Sequence, residues 1–401
     1  MANLHVLILT PWFPNRLHPQ HGNFVERWAE LVAREHTVTL VAVSDDGPDG
    51  SHPSVETTQK DYGRVIHAHY AGGARTRVQR IYQRSKAWAL AEDALPPADY
   101  DLIHAHVLID GGIVAERWSR KLDIPFVVTE HSHRYLKAWP VARLPDRFLA
   151  RKIARHAAAL LPVSPSLLDG MRSHGLEGNY AVLPNPVDEQ LFRPSIRPRP
   201  RNRPFVFVHL SDYTPNKNFA LLLKAYYRFR NKRPNVHLHF AGNGAIAAAR
   251  AHAGLPPEPT TFPELDELLA LDDKSRPALS SSGPHPPEDV VRLLSHYADT
   301  FVLTSDYETQ SIVLIEALLC GIPCISTDCG GPRNILTNAS RGRLVPVDNA
   351  NVLAQTMLKS YWAGKPGPTD RARRAEEARR EYSTDVILDR LNQIYREALG
   401  S

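Results

Sequence analysis

Strand-length apolar runs recur along this chain, and amphipathic helical stretches separate them. In the first half they fall at Val6–Leu9, Thr37–Val43, Leu102–His106, Phe126–Val128 and Leu160–Val163. In the second half they fall at Phe205–His209, Val236–Ala241, Thr300–Leu303 and Pro323–Ser326. A strand without polar alternation has no side to offer water, so such runs predict strands covered on both faces. Strands of that kind separated by helices imply parallel sheets of the α/β class. At 401 residues the chain exceeds one ordinary core and fits two domains.

Two stretches interrupt the pattern. Arg193 to Pro204 is dense in proline and arginine and reads as the linker between domains. Roughly Leu255 to Pro287 is rich in Pro, Ser and acidic residues. It is long for a loop, so it predicts a functional or mobile insertion, or one holding a short helix near Glu264–Leu271. The last helical segment, Asp370 to Leu399, is charged at first and then amphipathic.

Composition narrows the class. Hydrophobic content of 43% and charged content of 23% suit a soluble globular protein. The net charge of +5 favours anionic partners without specifying one, and no recognised nucleic-acid module is present. His5–Thr10 has no basic region before it and ends at Pro11, as a first buried strand does and a signal peptide does not. No stretch approaches the roughly 20 apolar residues that cross a bilayer. Cys320, Cys324 and Cys329 cannot all pair, which suits a reducing cytoplasm. They read as buried small hydrophobes or as a thiolate metal site.

Glu308 and Glu316 lie eight positions apart, the second inside an apolar helical run that stops at Gly321. Thr309 and Ser311 are N-cap candidates, which puts Glu308 in the loop that opens the helix. Free backbone N–H groups there suit a phosphate flanked by hydroxyl-rich groups that a carboxylate can hold. Glu316 has almost no polar face around it and needs partners. Lys217 stands between a predicted strand and a helix, within reach of a phosphate, although a solvated lysine would look the same. Gly22, Asn23 and Phe24 precede another helix start, which reads equally as an anion site or a turn. His131 follows the strand ending at Thr129, where open sheets place ligands. His104 and His106 share a face of one strand; a metal pair is one reading, a structural His104 with His106 bordering the cleft the other. Asp99 and Asp101 stand before a buried strand rather than after one, which argues against a metal motif. Arg75, Arg77, Arg80, Arg84 and Lys86 with Ile81, Tyr82 and Trp88 form a basic belt. Arg134, Lys137, Arg143, Arg147, Arg151, Lys152 and Arg155 form a second, with Leu136, Trp139 and Leu149. Such belts suit a membrane surface or an anionic lipid-linked acceptor, and equally a solvated helix face.

The spacing of Glu308 and Glu316 resembles the E-x7-E signature of retaining glycosyltransferases of the GT-B fold, family 4. Leu7 to Asn15, Gly22 to Phe24, Asp101 to His106, Val128 to His131, Leu183 to Asp188, Ala241 to Gly244 and Gly330 to Pro332 resemble family landmarks in the same order. The resemblance implies two Rossmann-like β/α/β domains facing across a deep cleft. Residues 1–195 would bind acceptor and residues 204–368 the nucleotide sugar, with a helix over about 380–401 packing back onto the first domain. It implies a metal-independent hexosyltransferase with a nucleotide sugar as co-substrate, UDP-sugar before GDP-sugar. The acceptor would be a glycan, a lipid-linked intermediate or a small molecule, at the inner face of the membrane or free in the cytoplasm. His131, Glu308 and Lys217 would be catalytic, Glu308 on the sugar hydroxyls. Gly22, Asn23, Gly242, Gly244, Gln310, Ser311 and Glu316 would bind donor, Glu316 at the ribose. The chain departs from the family five residues before Lys217, where many members carry an arginine and Asp212 stands here. Losing one such donor costs about 3 kcal/mol of transition-state stabilisation. Arg333, then Arg343, are the candidate substitutes, and Asn334 stands where an acid is common. The alternative is a weakly active nucleotide-sugar-binding subunit of the same fold; an epimerase fits the paired acids poorly.

Overall fold

The computed structural model describes residues 3–47, 52–73, 76–137, 144–195, 203–212, 214–230, 235–242, 279–282 and 285–400. The chain divides into two compact units, Met1–Pro186 with Thr384–Ser401, and Val187–Ser383.

The first unit holds β1 (His5–Thr10), β2 (Thr37–Gly47), β3 (Ser54–Lys60), β4 (Gly63–Ala71), β5 (Leu102–His106), β6 (Phe126–Glu130) and β7 (Ala159–Pro162). They form one sheet in the order β3-β4-β2-β1-β5-β6-β7, parallel throughout except where β3 runs antiparallel to β4. Along β1, Leu7 and Leu9 enter one core while Val6 and Ile8 enter the other. Both faces are dry, which is why the run does not alternate. β3 and β4 are not among the apolar runs: β3 is an exposed polar edge, and β4 carries His67 and His69. Helix Thr384–Leu399 buries Ile387, Leu388, Leu391 and Tyr395 in the second of these cores. Each such side chain contributes roughly 1.5–3 kcal/mol. The last helical segment, Asp370–Leu399, forms two helices, Pro368–Tyr382 and Thr384–Leu399, broken at the extended Ser383. The earlier one packs in the second unit through Ala378 and Tyr382.

The second unit holds β8 (Phe205–Leu210), β9 (Val236–Ala241), β10 (Leu279–Ser282), β11 (Thr300–Leu303), β12 (Cys324–Thr327) and β13 (Gly342–Val345). The order is β10-β9-β8-β11-β12-β13, and every pairing is parallel. β10 lies inside the stretch expected to be irregular; the helix expected near Glu264–Leu271 falls outside the described residues. The units divide at Val187, upstream of the proline- and arginine-rich stretch, because Val187 and Phe192 are buried in the second core. Arg203, inside that stretch, is no solvated linker residue. It is 6% exposed, and its guanidinium meets both carboxylate oxygens of Asp299.

Each sheet has a strand whose neighbours lead the chain in opposite directions: β1 between β2 and β5, and β8 between β9 and β11. Ligands of open parallel sheets bind at the carboxyl ends of strands at such switch points.

Candidate active site

In the second unit the loops after β8 and β11 meet at the switch point. The Asp306 N–H donates to the Asn216 carbonyl at 2.8 Å, the Asn216 amide to the Tyr307 carbonyl at 3.1 Å, and the Thr304 hydroxyl to the Lys217 carbonyl at 3.0 Å. Lys217 ends a short 3-10 turn, Pro215–Lys217, ahead of helix Phe219–Arg230. Its ammonium donates to Glu308 Oε1 at 2.6 Å, and the Ser305 hydroxyl donates to the same oxygen at 2.7 Å. Burial works against the lysine's charge, but Glu308, aided by Asp212, outweighs it and the pKa is raised. Two residues 91 positions apart in sequence are thus brought together as a partly buried ion pair.

The Glu308 backbone is clamped as well. Its N–H donates to the Cys329 carbonyl at 3.0 Å, and its carbonyl accepts from the Gly331 N–H at 2.8 Å. A Cβ at Gly331 would lie 2.5–2.7 Å from Gln310 backbone atoms, so only glycine lets these loops approach. Gln310 is buried between them and the sheet ends at 3% exposure. The expected hydroxyl cap does not form: Ser311 occupies the N-cap position with a left-handed φ of 79° and makes no side-chain cap. Its buried hydroxyl meets no hydrogen-bond partner among the described residues. A non-glycine residue held there stores strain on the order of 1–3 kcal/mol, as ligand-binding loops often do. Helix Ile312–Leu319 then opens, and Glu316 is its one acid, buried among Leu314, Ile315, Ala317 and Leu318.

Other residues of this unit fall less simply. Arg333 is exposed and held by both oxygens of Asp328 at 2.8 and 2.9 Å, its pKa raised by that partner. Arg343 is exposed. Gly242 lies against the Ser211 carbonyl, so the loops after β8 and β9 touch. Gly244 lies outside the described residues. Cys320, Cys324 and Cys329 are buried and unbridged. Burial pushes the Cys329 thiol up to about 12 and the Cys324 thiol higher still, which favours the small-hydrophobe reading over thiolate ligands.

In the first unit, Gly22 caps helix Asn23–Val32 with a left-handed φ of 70°. A Cβ there would lie 2.3 Å from the Trp12 carbonyl, so the glycine is needed for the β1 loop to fold onto the helix start. Asn23 donates to Gln20 at 3.3 Å. The Phe24 ring stands 4.6 Å from that of His131, which brings Gly22 and His131 into one loop cluster. His131 Nε2 lies 3.0 Å from His106 Nδ1. His106 does not border open space: it is fully buried, stacked between His104 and His131. His104 is structural, 2.7 Å from both the Tyr395 and Thr129 hydroxyls. Asp101 accepts the His5 N–H at 2.7 Å and orders entry to the sheet.

Two contributors escape sequence reasoning. Ser305 holds Glu308 from three residues upstream. Glu130, fully buried, accepts the N–H groups of Leu108, His131 and Ser132 at 2.8, 2.9 and 2.6 Å. Its carboxylate thereby fixes the loops after β5 and β6; burial raises its pKa and the three N–H groups oppose the rise. An acid beside a histidine at a strand end is a signal, but its remote partner Leu108 is invisible in sequence.

Some of the belt cations pair with acids, and Arg147 and Arg151 donate instead to the His174 carbonyl. Arg77 pairs with Asp146 and Arg84 with Asp110, both at 2.6 Å, and Arg155 with Glu177 at 3.0 Å. Trp88 is buried, whereas Val78, Ile81, Tyr82 and Phe148 remain exposed. No helix among the described residues is long and apolar enough to cross a membrane.

The buried imidazoles make stability pH-dependent. Burial lowers both His104 and His131 to about 3. The unfolded chain therefore takes up protons below about pH 6.5 that the folded chain refuses. Stability is complete above that pH and falls by up to about 1.4 kcal/mol per pH unit for each histidine as pH drops toward 3. Urea denaturation at pH 7.5 and 5.0 checks this; equal midpoints would contradict it.

The family model "Glycosyltransferase Family 4" matches residues 23–191, and "Glycosyl transferases group 1" matches residues 193–380. The chain is 24% identical over 397 residues to a phosphatidyl-myo-inositol mannosyltransferase of Mycobacterium tuberculosis, covering 93% of this chain and 92% of that one. Its fold is similar to sucrose-phosphate synthase from Thermosynechococcus elongatus, with TM-score 0.74 and 19% identity over 99% of this chain and 100% of that one. It is also similar to an Anabaena protein solved in complex with UDP-glucose, with TM-score 0.65 and 16% identity over 97% and 98%. The chain belongs to the group 1 glycosyltransferases of the GT-B fold.

Proposed function

We propose that this protein transfers a hexose from a nucleotide diphosphate donor, UDP-sugar before GDP-sugar, to a hydroxyl acceptor with retention of configuration. The observation that carries the reading is the Lys217–Glu308 pair at the second switch point, a cation and a carboxylate brought together by the loops after β8 and β11. In the proposed complex Lys217 turns to the departing diphosphate, and Glu308, still held by Ser305, turns to the sugar hydroxyls. Glu316 takes the ribose, and Gln310, Ser311 and Gly242 shape the donor loop. A cation already in place stabilises leaving-group charge without reorganisation at the moment of reaction. Same-face attack then relies on positioning rather than a protein nucleophile, and no metal is required for it. Neutral His131, backed by His106, is suited to accept or donate one hydrogen bond to a sugar hydroxyl beside Gly22 and Asn23. The relative solved with UDP-glucose supports the donor class.

The acceptor we propose is a lipid-linked or cell-surface glycan, supported by the lipid named for the mannosyltransferase relative. Exposed Val78, Ile81 and Tyr82 with Arg80 would then touch the membrane surface. Co-sedimentation with anionic vesicles should fall at least about fivefold in an I81S/Y82S variant, since an amphipathic face binds by its apolar area. Equal binding would remove the membrane from the proposal. A specific observation keeps a weakly active binding subunit as the second reading: Asp212 replaces the usual arginine and Arg333 is engaged by Asp328. Incubation with UDP-, GDP-, ADP- and TDP-sugars and lipid acceptors separates the two. The enzyme releases nucleoside diphosphate and yields a product whose anomeric NMR signal matches the donor. Donor binding without release supports the second reading, and an inverted product contradicts retention.

A further inference from the structure

The edge of the first sheet carries a cluster that sugar transfer does not use. Glu56 on β3 lies directly opposite His67 on β4, and His69 follows two positions on, so all three share one face. Each offers one ligand atom, and these atoms lie within 4.8 Å of one another. His69 Nε2 stands 3.4 Å from Glu56 Oε1. Two ligands bound at 2.0–2.1 Å to a tetrahedral zinc ion are about 3.4 Å apart.

The surroundings are arranged as they are around metal-binding histidines. Asp46, its side chain 1% exposed, meets His69 Nδ1 at 2.6 Å and so turns Nε2 toward Glu56. Carboxylates commonly orient ligating histidines in this way. His69 Nε2 is buried and makes no hydrogen bond among the described residues, an uncompensated cost that a ligand would relieve. Ser44 fixes the His67 ring through Nε2 at 2.8 Å, and the two imidazoles pack with centroids 4.1 Å apart. Arg16 approaches the other Glu56 oxygen, Oε2, at 3.5 Å and leaves Oε1 to face His69. Glu56 is half exposed, so an ion has a path in and water can complete its shell.

We infer that Glu56, His67 and His69 form a divalent transition-metal site, with zinc the best fit to two imidazoles and one carboxylate. The Arg16 N–H also donates to Asp46 at 3.0 Å, so an ion here would brace the β1 loop that ends at Gly22. The site is separate from the donor-binding residues and survives whether or not sugar transfer is observed.

The test uses the full chain without a histidine tag, stripped with chelator and titrated with Co(II) and Zn(II). We expect one Zn(II) per chain after gel filtration, the visible bands of four-coordinate Co(II), and a metal-dependent rise in Tm. Glu56→Gln sits on an exposed edge and should leave the metal-free Tm unchanged while weakening Zn(II) binding at least about tenfold. His69→Asn should abolish the cobalt bands. Failure of the wild type to retain zinc overturns the site. So does retention of wild-type affinity in Glu56→Gln, the outcome expected if the buried cysteines held the metal instead.

Discussion

Lys217→Ala is expected to lower kcat by about 10²–10³-fold, the cost of removing one pre-placed donor from a developing negative charge. Burial opposes the lysine's charge, and Glu308 at 2.6 Å outweighs it and keeps the ammonium charged at the switch point. KM for the donor should change much less than kcat, because the leaving group carries its full charge only in the transition state. Glu308 would keep its Ser305 partner and some solvent access, so the fold should survive with a loss of about 1–3 kcal/mol. Steady-state kinetics with an active donor, with circular dichroism as the control, check this. A variant with unchanged kcat and a raised KM would make Lys217 a binding residue only.

Arg203→Ala should be the most destabilising single substitution proposed for the second unit. Asp299 is 0% exposed, and besides meeting the guanidinium it accepts the Val206 N–H at 3.0 Å. Removing one member of a buried pair leaves the other charge uncompensated and typically costs about 3–5 kcal/mol. Across a unit of this size that is a fall in Tm of roughly 6–20 °C. The activity per folded molecule should be unchanged, since the pair lies at the start of β8 and the site at its end. Differential scanning calorimetry checks the figure; a shift under about 2 °C would mean that Asp299 finds compensation elsewhere.

The sheets were legible because their strands are dry on both faces, and dryness writes itself as unbroken runs such as Val6–Leu9 and Val236–Ala241. β3 and β4 were illegible for the opposite reason. One is a polar edge, and the other spends alternate positions on His67 and His69, which now define the proposed metal site. Glu308 and Lys217 could be singled out one by one from their loops. Their direct contact could not, because it depends on the parallel pairing of β8 with β11. Arg203 was misleading for a related reason: a proline- and arginine-rich stretch looks solvated until its remote acid, Asp299, is known. The His106–His131 pair was hidden likewise, since only the pairing of β5 with β6 brings the two rings together.

The most direct measurement is a crystal structure of the protein with a nucleotide sugar that raises its Tm. The account predicts Lys217 Nζ within hydrogen-bond distance of the diphosphate, Glu308 on the sugar hydroxyls and Glu316 on the ribose. A donor bound with Lys217 still on Glu308, or with both acids away from the sugar and the ribose, would contradict it.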